Sequence, residues 1–423
     1  MPIQSLGSAS SGIVAMQTDL NTIGNDIANS ETTGFASESA QFADLLTQQI
    51  QPATAAVGQT LASTNPSAIG TGVGVQSINT NFSEGSVTQT GLNNNVAIVG
   101  KGFLVVKQGA NTYYTRDGSL QIDSQGNLAT NGGGLVQGWA PGQAVTSPTG
   151  PLSIILGSRG APQQTQNVNL SGNLPSSPSG PVTITTTMYD SLGDQVPVTL
   201  TFTPTVNSSG TATSWAMQGT ATGSTTNLWN SAQTLTFSST GQLATVNGTA
   251  VTTSATVIPI NNEPTGYTWS GTTMPTFTFP AVGSQQAVIQ YAGSESLIAT
   301  SDGNPSGTLQ AYSIGGNGVI TGTYSNGHTA SLGTIALAQF ANPNGLNNMG
   351  GTNFSATVAS GTAQVGQPTT GGLGTLQDGA LEGSNVNMAK ELTDLIEAQT
   401  AYQANTKVIM TTQSALSSLM QIP

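Results

Sequence analysis

LGSASSGIVAMQTDLNTIGNDI, running from Leu6 to Ile27, decides the fold. Its apolar residues Leu6, Ala9, Ile13, Met16, Leu20, Ile23 and Ile27 are separated by alternating steps of three and four. That is the seam of a helix lying lengthwise on another helix. The partner stands at the far end of the chain, in MAKELTDLIEAQTAYQANTKVIMTTQSALSSLM (Met388 to Met420). There Met388, Leu392, Leu395, Tyr402, Ile409, Leu416 and Met420 keep the rhythm, with Gln399, Thr406 and Gln413 filling seam positions between them. Two such stripes predict paired terminal helices, although the same spacing also suits helices that only cover a core within one chain. Polar seam positions make the second helix a poor zipper by itself and fit it to several neighbours. The first helix is weak alone, because Gly7, Gly12 and Gly24 each cost about 1 kcal/mol relative to Ala and isolated helices of this length are marginal. Its ends are expected to be frayed or disordered in the free chain and to order on assembly.

Between the helices the pattern changes. The first helix stops in SETTGF (Ser30 to Phe35), where Thr-Thr and Gly34 oppose continuation and Phe35 can anchor a turn. Phe42, Leu45 and Leu46 suggest one more short helical piece, and residues 51 to 75, rich in Ala, Thr, Gly and Gln, read as an extended connector. From Val75 the period moves towards two. Strands are predicted at Val96–Val99, Phe103–Val106, Tyr113–Thr115, Leu120–Ile122, Thr183–Met188, Thr234–Phe237, Thr276–Phe279, Val319–Tyr324 and Thr334–Phe340. The clearest strand is Val196, Val198, Leu200 and Phe202 alternating with Pro197, Thr199, Thr201 and Thr203. Turns are expected at Asp117-Gly118 and Gly126-Asn127, and a loop at NLPSSPSGP (Asn173 to Pro181). The second helix begins after SNVN (Ser384 to Asn387), with Asn387 as N-cap and Glu391 and Asp394 near the positive end of the dipole. At 1.5 Å per residue it is about 48 Å long.

The fold class is therefore mainly β with terminal α-helices, an elongated multi-domain chain whose two helices pair at one pole with two β-rich domains outward. A length of 423 residues allows two to four domains. The expected division is an inner helical domain (1–32 and 383–423), an extended connector (33–75 and 360–382), a β-rich middle domain (76–150 and 292–359) and an inserted β-rich outer domain (151–291).

Composition excludes several function classes. Six Lys and Arg stand against 18 Asp and Glu, and no basic residue precedes Lys101 or falls between Arg159 and Lys390. Binding a phosphate backbone needs clustered cations, so nucleic acid is not expected as a partner. Without cysteine there is no disulfide, thiol nucleophile or thiolate metal site. The first 30 residues carry no Lys or Arg and no apolar stretch of signal-peptide length. No apolar run approaches the ~20 residues that span a bilayer, so membrane insertion is not expected. A cleavable leader is not expected either.

Candidate catalytic groups are few. His328 is the only histidine and lies in YSNGHT, where Asn326-Gly327 reads as a hairpin turn. Asp190 and Asp194 could pair as glycosidase carboxylates, but they bracket the turn-like Ser191, Leu192 and Gly193. Asp123, Gly126 and Asn127 form only a fragment of a calcium loop, without the bidentate Glu. No phosphate-binding glycine motif follows a strand. No catalytic residue, cofactor or metal is expected.

Several long motifs resemble the flagellar hook proteins of the bacterial rod and hook axial family. IGNDIANSETTGF (Ile23 to Phe35), with Asn29, Gly34 and Phe35, is similar to the family's N-terminal signature. DGALEGSNVNMAKELTDLIEAQTAYQANTKVI (Asp378 to Ile409), with Ser384 and Asn385, is similar to its C-terminal helix. MYDSLGDQVPVTLTF (Met188 to Phe202), with Tyr189, Asp190 and Gly193, resembles the outer domain that shorter rod proteins lack, as do Trp215, Met217 and TFSSTGQLATVNG (Thr236 to Gly248). ITGTYSNGHTASLGTIALAQFANPNGL (Ile320 to Leu346) and GTLQDGALE (Gly374 to Glu382) extend the likeness across essentially the whole chain. Ala36 stands where the family usually has Lys, and Asn387 where Asp is common in the SNV motif.

The resemblance implies a non-enzymatic subunit of a curved helical tube, a universal joint passing torque from rod to filament. It implies export by the flagellar type III apparatus without a cleaved signal, an extracellular hook location, and partners in the rod, the hook cap and the hook-filament adapter proteins. The homopolymer would be held by Leu6, Ile13, Met16, Leu20, Ile23, Ile27, Met388, Leu392, Leu395, Tyr402, Ile409 and Leu416. A distal rod protein is the near alternative, and a secreted β-rich adhesin or glycan hydrolase the alternative of another class.

Overall fold

A computed structural model describes residues 2–53, 65–270 and 274–420. Helix α1 spans Pro2–Ala28 and helix α2 spans Met388–Met420. Asn387 caps α2 as expected: its Oδ1 accepts the Lys390 amide at 3.2 Å and its carbonyl accepts the Glu391 amide at 2.9 Å. The α1 helix closes with the Asn29 amide on the Asn25 carbonyl at 3.1 Å. The two helices pack against each other.

Small residues let them approach. Ala9, Gly12, Ala15, Thr22 and Ile23 are buried on α1, and Ala398 and Glu391 on α2. A Cβ added at Gly12 would stand 2.8 Å from Nδ2 of Asn405. The apolar seam is only partly used: Leu6, Ile13, Met16, Leu20, Ile27, Leu395, Tyr402, Ile409 and Leu416 are half-buried, while Met388 and Leu392 are exposed. Two helices meeting on small side chains cover a narrow strip, and larger residues to either side keep open flanks.

The segment with Phe42, Leu45 and Leu46 is not helical. Strand β1 (Glu38–Asp44) leads into strand β2 (Thr47–Gln51), and strands β3 (Ser67–Gly70) and β4 (Val73–Thr80) return alongside them. The β1–β4 pair is antiparallel from Glu38↔Thr80 to Asp44↔Val73 with a bulge at Gln41/Phe42, and β2 pairs antiparallel with β3. The strands correct the sequence reading because their partners lie far downstream, those of β1 from Asp44↔Val73 to Glu38↔Thr80, at and just past the end of what reads as a connector. Residues 54–64 of that connector lie outside the described residues. The ribbon is tied to α1, since the Val73 amide donates to Ser11 Oγ at 3.2 Å.

The chain divides into two compact units, one of residues 1–155, 312–322 and 330–423, the other of residues 156–311 and 323–329. In the first, Phe103–Gln108 pairs antiparallel with Asn111–Thr115 on one edge and with Leu337–Gln339 and Leu135–Trp139 on the other. Its core gathers Ala36, Phe103, Val105, Tyr114, Trp139, Phe340 and Phe354. Phe82 and Phe103 meet edge to face at 5.3 Å, as do Tyr114 and Phe340 at 4.8 Å.

The second unit joins a six-stranded antiparallel sheet, beginning Val182–Tyr189, Gln195–Val206 and Ala212–Ala221, to a five-stranded mixed sheet centred on Asn167–Pro175. Val196, Val198, Leu200 and Phe202 are all fully buried, packed in one core with Trp215, Trp229, Phe277 and Phe279. Asn173–Pro175 closes a strand, so the expected loop is shorter and begins at Ser176. Tyr324 and His328 close the turn around Gly327, whose φ is +78°, and the His328 amide donates to Asn326 Oδ1 at 3.0 Å.

Candidate assembly surface

The helices are fixed to the β part of the first unit by a buried knot of polar groups. Arg116 donates from Nε to both oxygens of Glu382, at 2.9 and 3.1 Å, and its other nitrogens reach the carbonyls of Ile98, Gly100 and Gly102. Glu382 Oε1 also accepts the Gly85 amide at 3.0 Å. Burial pushes the Glu382 carboxyl upward in pKa, and the guanidinium opposes that rise. A planar, fully donating Arg is the side chain that can satisfy a carboxylate and three carbonyls together.

The motif residues surround this knot. Gly34 has φ +66°, and its amide donates to the Glu382 carbonyl at 2.8 Å. A Cβ there would fall 2.6 Å from the Asp117 backbone nitrogen. Asn385 joins three segments: Oδ1 accepts the Ser37 amide at 2.8 Å, and Nδ2 donates to the carbonyls of Asn81 and Ser83 at 2.7 and 2.8 Å. Phe35 accepts the Asn385 amide at its carbonyl, 3.3 Å away, and Ser384 Oγ accepts the Val386 amide at the same distance. Asn29 turns back to donate to the Asn25 carbonyl at 2.9 Å. These residues set the exit of α1 and the entry of α2.

Tyr189, Asp190 and Gly193 belong to the second unit and build a turn. Asp190 Oδ1 accepts the amides of Leu192 and Asp194 at 2.9 and 2.8 Å, and Oδ2 accepts the Thr268 amide at 3.1 Å. Gly193 adopts φ +85° with Pro162 close beneath it. The Tyr189 carbonyl accepts the Thr165 amide at 2.9 Å, and Thr165 Oγ1 accepts the Tyr189 amide at 2.8 Å. Asp123 likewise accepts the amides of Gln125 and Asn127, each at 2.8 Å.

Between α1, α2 and β1 lies an open cleft of about 370 Å³. Met16, Ile23, Phe42, Ala398 and Ala401 give it an apolar floor, and Asp19, Glu38, Asp394 and Glu397 an acidic rim. Lys390 pairs with Asp394 at 2.7 Å. Asp26 is fully buried nearby, with Oδ2 accepting the Glu38 amide at 2.9 Å and Oδ1 without a partner. Burial foremost, with Glu391 and Glu38 adding repulsion, pushes its carboxyl from 3.8 up to about 7. Burial also raises Asp19 and Glu391, each further raised by Asp394.

Arg116, Glu382 and Asp26 escape a reading by sequence pattern. The available signal is scarcity: Arg116 is one of six cations in 423 residues, and a chain so poor in charge spends one of them inside.

The paired terminal helices join the β part of the first unit through Gly34, Phe35, Glu382 and Asn385, within the motifs that resemble the axial proteins of the bacterial flagellum. A model of the flagellar basal body rod FlgEFG protein C-terminal region matches residues 377–422, and a model of the flagellar hook protein FlgE/F/G D1 domain matches residues 97–169. The flagellar hook protein FlgE of Borreliella burgdorferi is 33% identical, with 99% of each chain covered. That of Salmonella typhimurium is 32% identical over 99% of this chain and 100% of its own. The fold is also that of Helicobacter pylori flagellar hook protein FlgE2, at a TM-score of 0.50 and 13% identity over 70% of this chain and 100% of that one. The chain belongs to the flagellar hook protein family.

Proposed function

We propose that this chain is the repeating structural subunit of the flagellar hook, self-assembling into a curved helical tube that passes torque from the basal-body rod to the filament. Family membership over the full length supports the hook over the distal rod, an adhesin or a glycan hydrolase. The structural observation that carries self-assembly is uncovered apolar surface on the helices and ribbon. Val14 is 61% exposed, Leu46 73%, Ile396 61% and Met410 67%, with Leu392, Ile50 and Ile78 also open. A two-stranded ribbon is marginal in water without something to pack on, and apolar surface of this extent marks contact sites. Repeating a heterologous contact that does not close into a ring generates a helical polymer.

In this reading residues 1–32 and 383–423 form the inner layer, with the half-buried and exposed seam residues facing neighbouring copies. Residues 33–75 and 360–382 connect to a middle domain (76–150 and 292–359) and an outer domain (151–291). The outer surface, poor in charge and rich in small polar residues, slides past its neighbours as the tube bends; bulky charged substitutions there that left bending unchanged would refute this. The rod, the hook cap and the adapter proteins adjoin the tube, and subunits leave the cell through the type III apparatus. Among the described residues, no helix is long and apolar enough to cross a membrane. Electron microscopy of the concentrated full chain is the test: short curved tubes are expected, and discrete particles would overturn the proposal.

A further inference from the structure

Charge is divided unevenly along α2. Its first part carries Lys390, Glu391, Asp394 and Glu397, whereas beyond Glu397 the only charged residue is Lys407. Lys407 is exposed and has no ion pair among the described residues. At 100° per residue it points away from Ala398 and Glu391, which are buried on α2, and Met410 follows one turn later on the same ridge. The cleft beside α1 has the complementary character, an apolar floor beneath an acidic rim whose own cation is already held by Asp394.

We propose that this cleft is the seat for the Lys407–Met410 ridge of a second copy of the chain. Met410 fills the floor between Ile23, Phe42 and Ala398, and Lys407 meets Asp19 and Glu397 on the rim. Ridge and cleft are different surfaces of one molecule, so the contact is heterologous, and an axial stagger between copies keeps it from closing into a ring. The cleft is centred near residue 396 of α2 and the ridge near 408, so successive copies are staggered by about 18 Å along the helix axis. Complementary charge fixes this register, because a slipped register leaves Lys407 without an acid and buries rim carboxylates against one another. The inference rests on the tube reading and adds to it the partner surface and the stagger.

The absence of cysteine makes the test direct. Full chain carrying E397C and full chain carrying K407C, each a minority in unsubstituted protein, are co-assembled and oxidised. A disulfide-linked dimer containing one of each is expected, and it cannot arise within a chain because 397 and 407 are about 15 Å apart on one helix. In parallel, K407E is expected to raise the concentration needed for polymerisation several-fold at low salt, with the difference shrinking as salt screens the pair. Combining K407E with E397K is expected to restore part of the loss. Tubes that form without the mixed dimer, with K407E assembling like the unsubstituted chain, would overturn the register and leave the tube reading standing. An unsubstituted chain that never polymerises would overturn both.

Discussion

Arg116 and Glu382 meet at 2.9 Å inside the first unit although 266 positions separate them. The pair closes the loop between a β-hairpin near the start of the chain and the segment that leads into α2. Both side chains are almost entirely shielded from water, so each depends on the other for its polar partners.

Removing one partner is therefore expected to be severe. R116A leaves a buried carboxylate and three carbonyls short of donors, and should lower stability by about 3–5 kcal/mol in urea unfolding. R116M combined with E382L removes the stranded charge and should recover part of that loss. A stability for R116A within about 0.5 kcal/mol of the unsubstituted chain would show that the pair is not needed.

Gly34 is constrained by conformation and by space together. Its φ of +66° is costly for any residue with a Cβ, and that Cβ would press on the backbone of Asp117, which cannot swing aside as a side chain can. G34A should cost about 2 kcal/mol. G12A is the contrasting variant, since Asn405 can move its amide and alanine is the better helix former by about 1 kcal/mol. Thermal unfolding of the two variants should separate them by sign.

How much of this was legible in the sequence depends on the distance between partners. The strands Val96–Val99, Leu120–Ile122, Thr276–Phe279 and Val319–Tyr324 are bounded as the alternation predicts, because nearby turns mark their ends. Both helices and the Asn387 cap follow from local spacing and local chemistry. The ribbon does not: a bulge at Gln41/Phe42 breaks the alternation, and Leu45 and Leu46 at three and four from Phe42 imitate a helical face. The seam predicts that the helices pair but not which strip they use, since Gly12, Ala15 and Ala398 carry no hydropathy signal comparable with Leu20 or Leu395. The Arg116–Glu382 knot leaves no local pattern at all.

Asp26 makes the helix–ribbon junction pH-sensitive. Its folded pKa, about 7, lies above the 3.8 of the open chain, so the folded form holds the proton more tightly. The stabilisation from this group is fully present below about pH 4 and is lost as pH rises through about 7, at no more than about 1.4 kcal/mol per pH unit. D26N cannot ionise and should flatten this part of the profile while protecting the Glu38 amide at pH 8. Hydrogen exchange of the Glu38 and Ser39 amides at pH 5 and pH 8 reads the effect at its source. Equal protection at both values in the unsubstituted chain would remove Asp26 from the account.

Deleting residues 1–30 separates assembly from folding. The cores around Phe103 and Phe354 in one unit and Trp215 and Phe277 in the other draw nothing from α1. Losing α1 removes the Glu38–Asp26 and Val73–Ser11 bonds, the cover over Ala398, and one wall of the acidic cleft. The truncated chain should keep the near-UV circular dichroism of its four tryptophans and sediment as a monomer at concentrations where the full chain polymerises. Within the full-length monomer, amides of residues 6 to 27 should exchange quickly, because three glycines and a half-covered seam leave α1 little stability until neighbours pack on it. Strong protection of that segment in the free chain would mean that α2 and the ribbon already hold it, and that assembly adds contacts to a helix already formed.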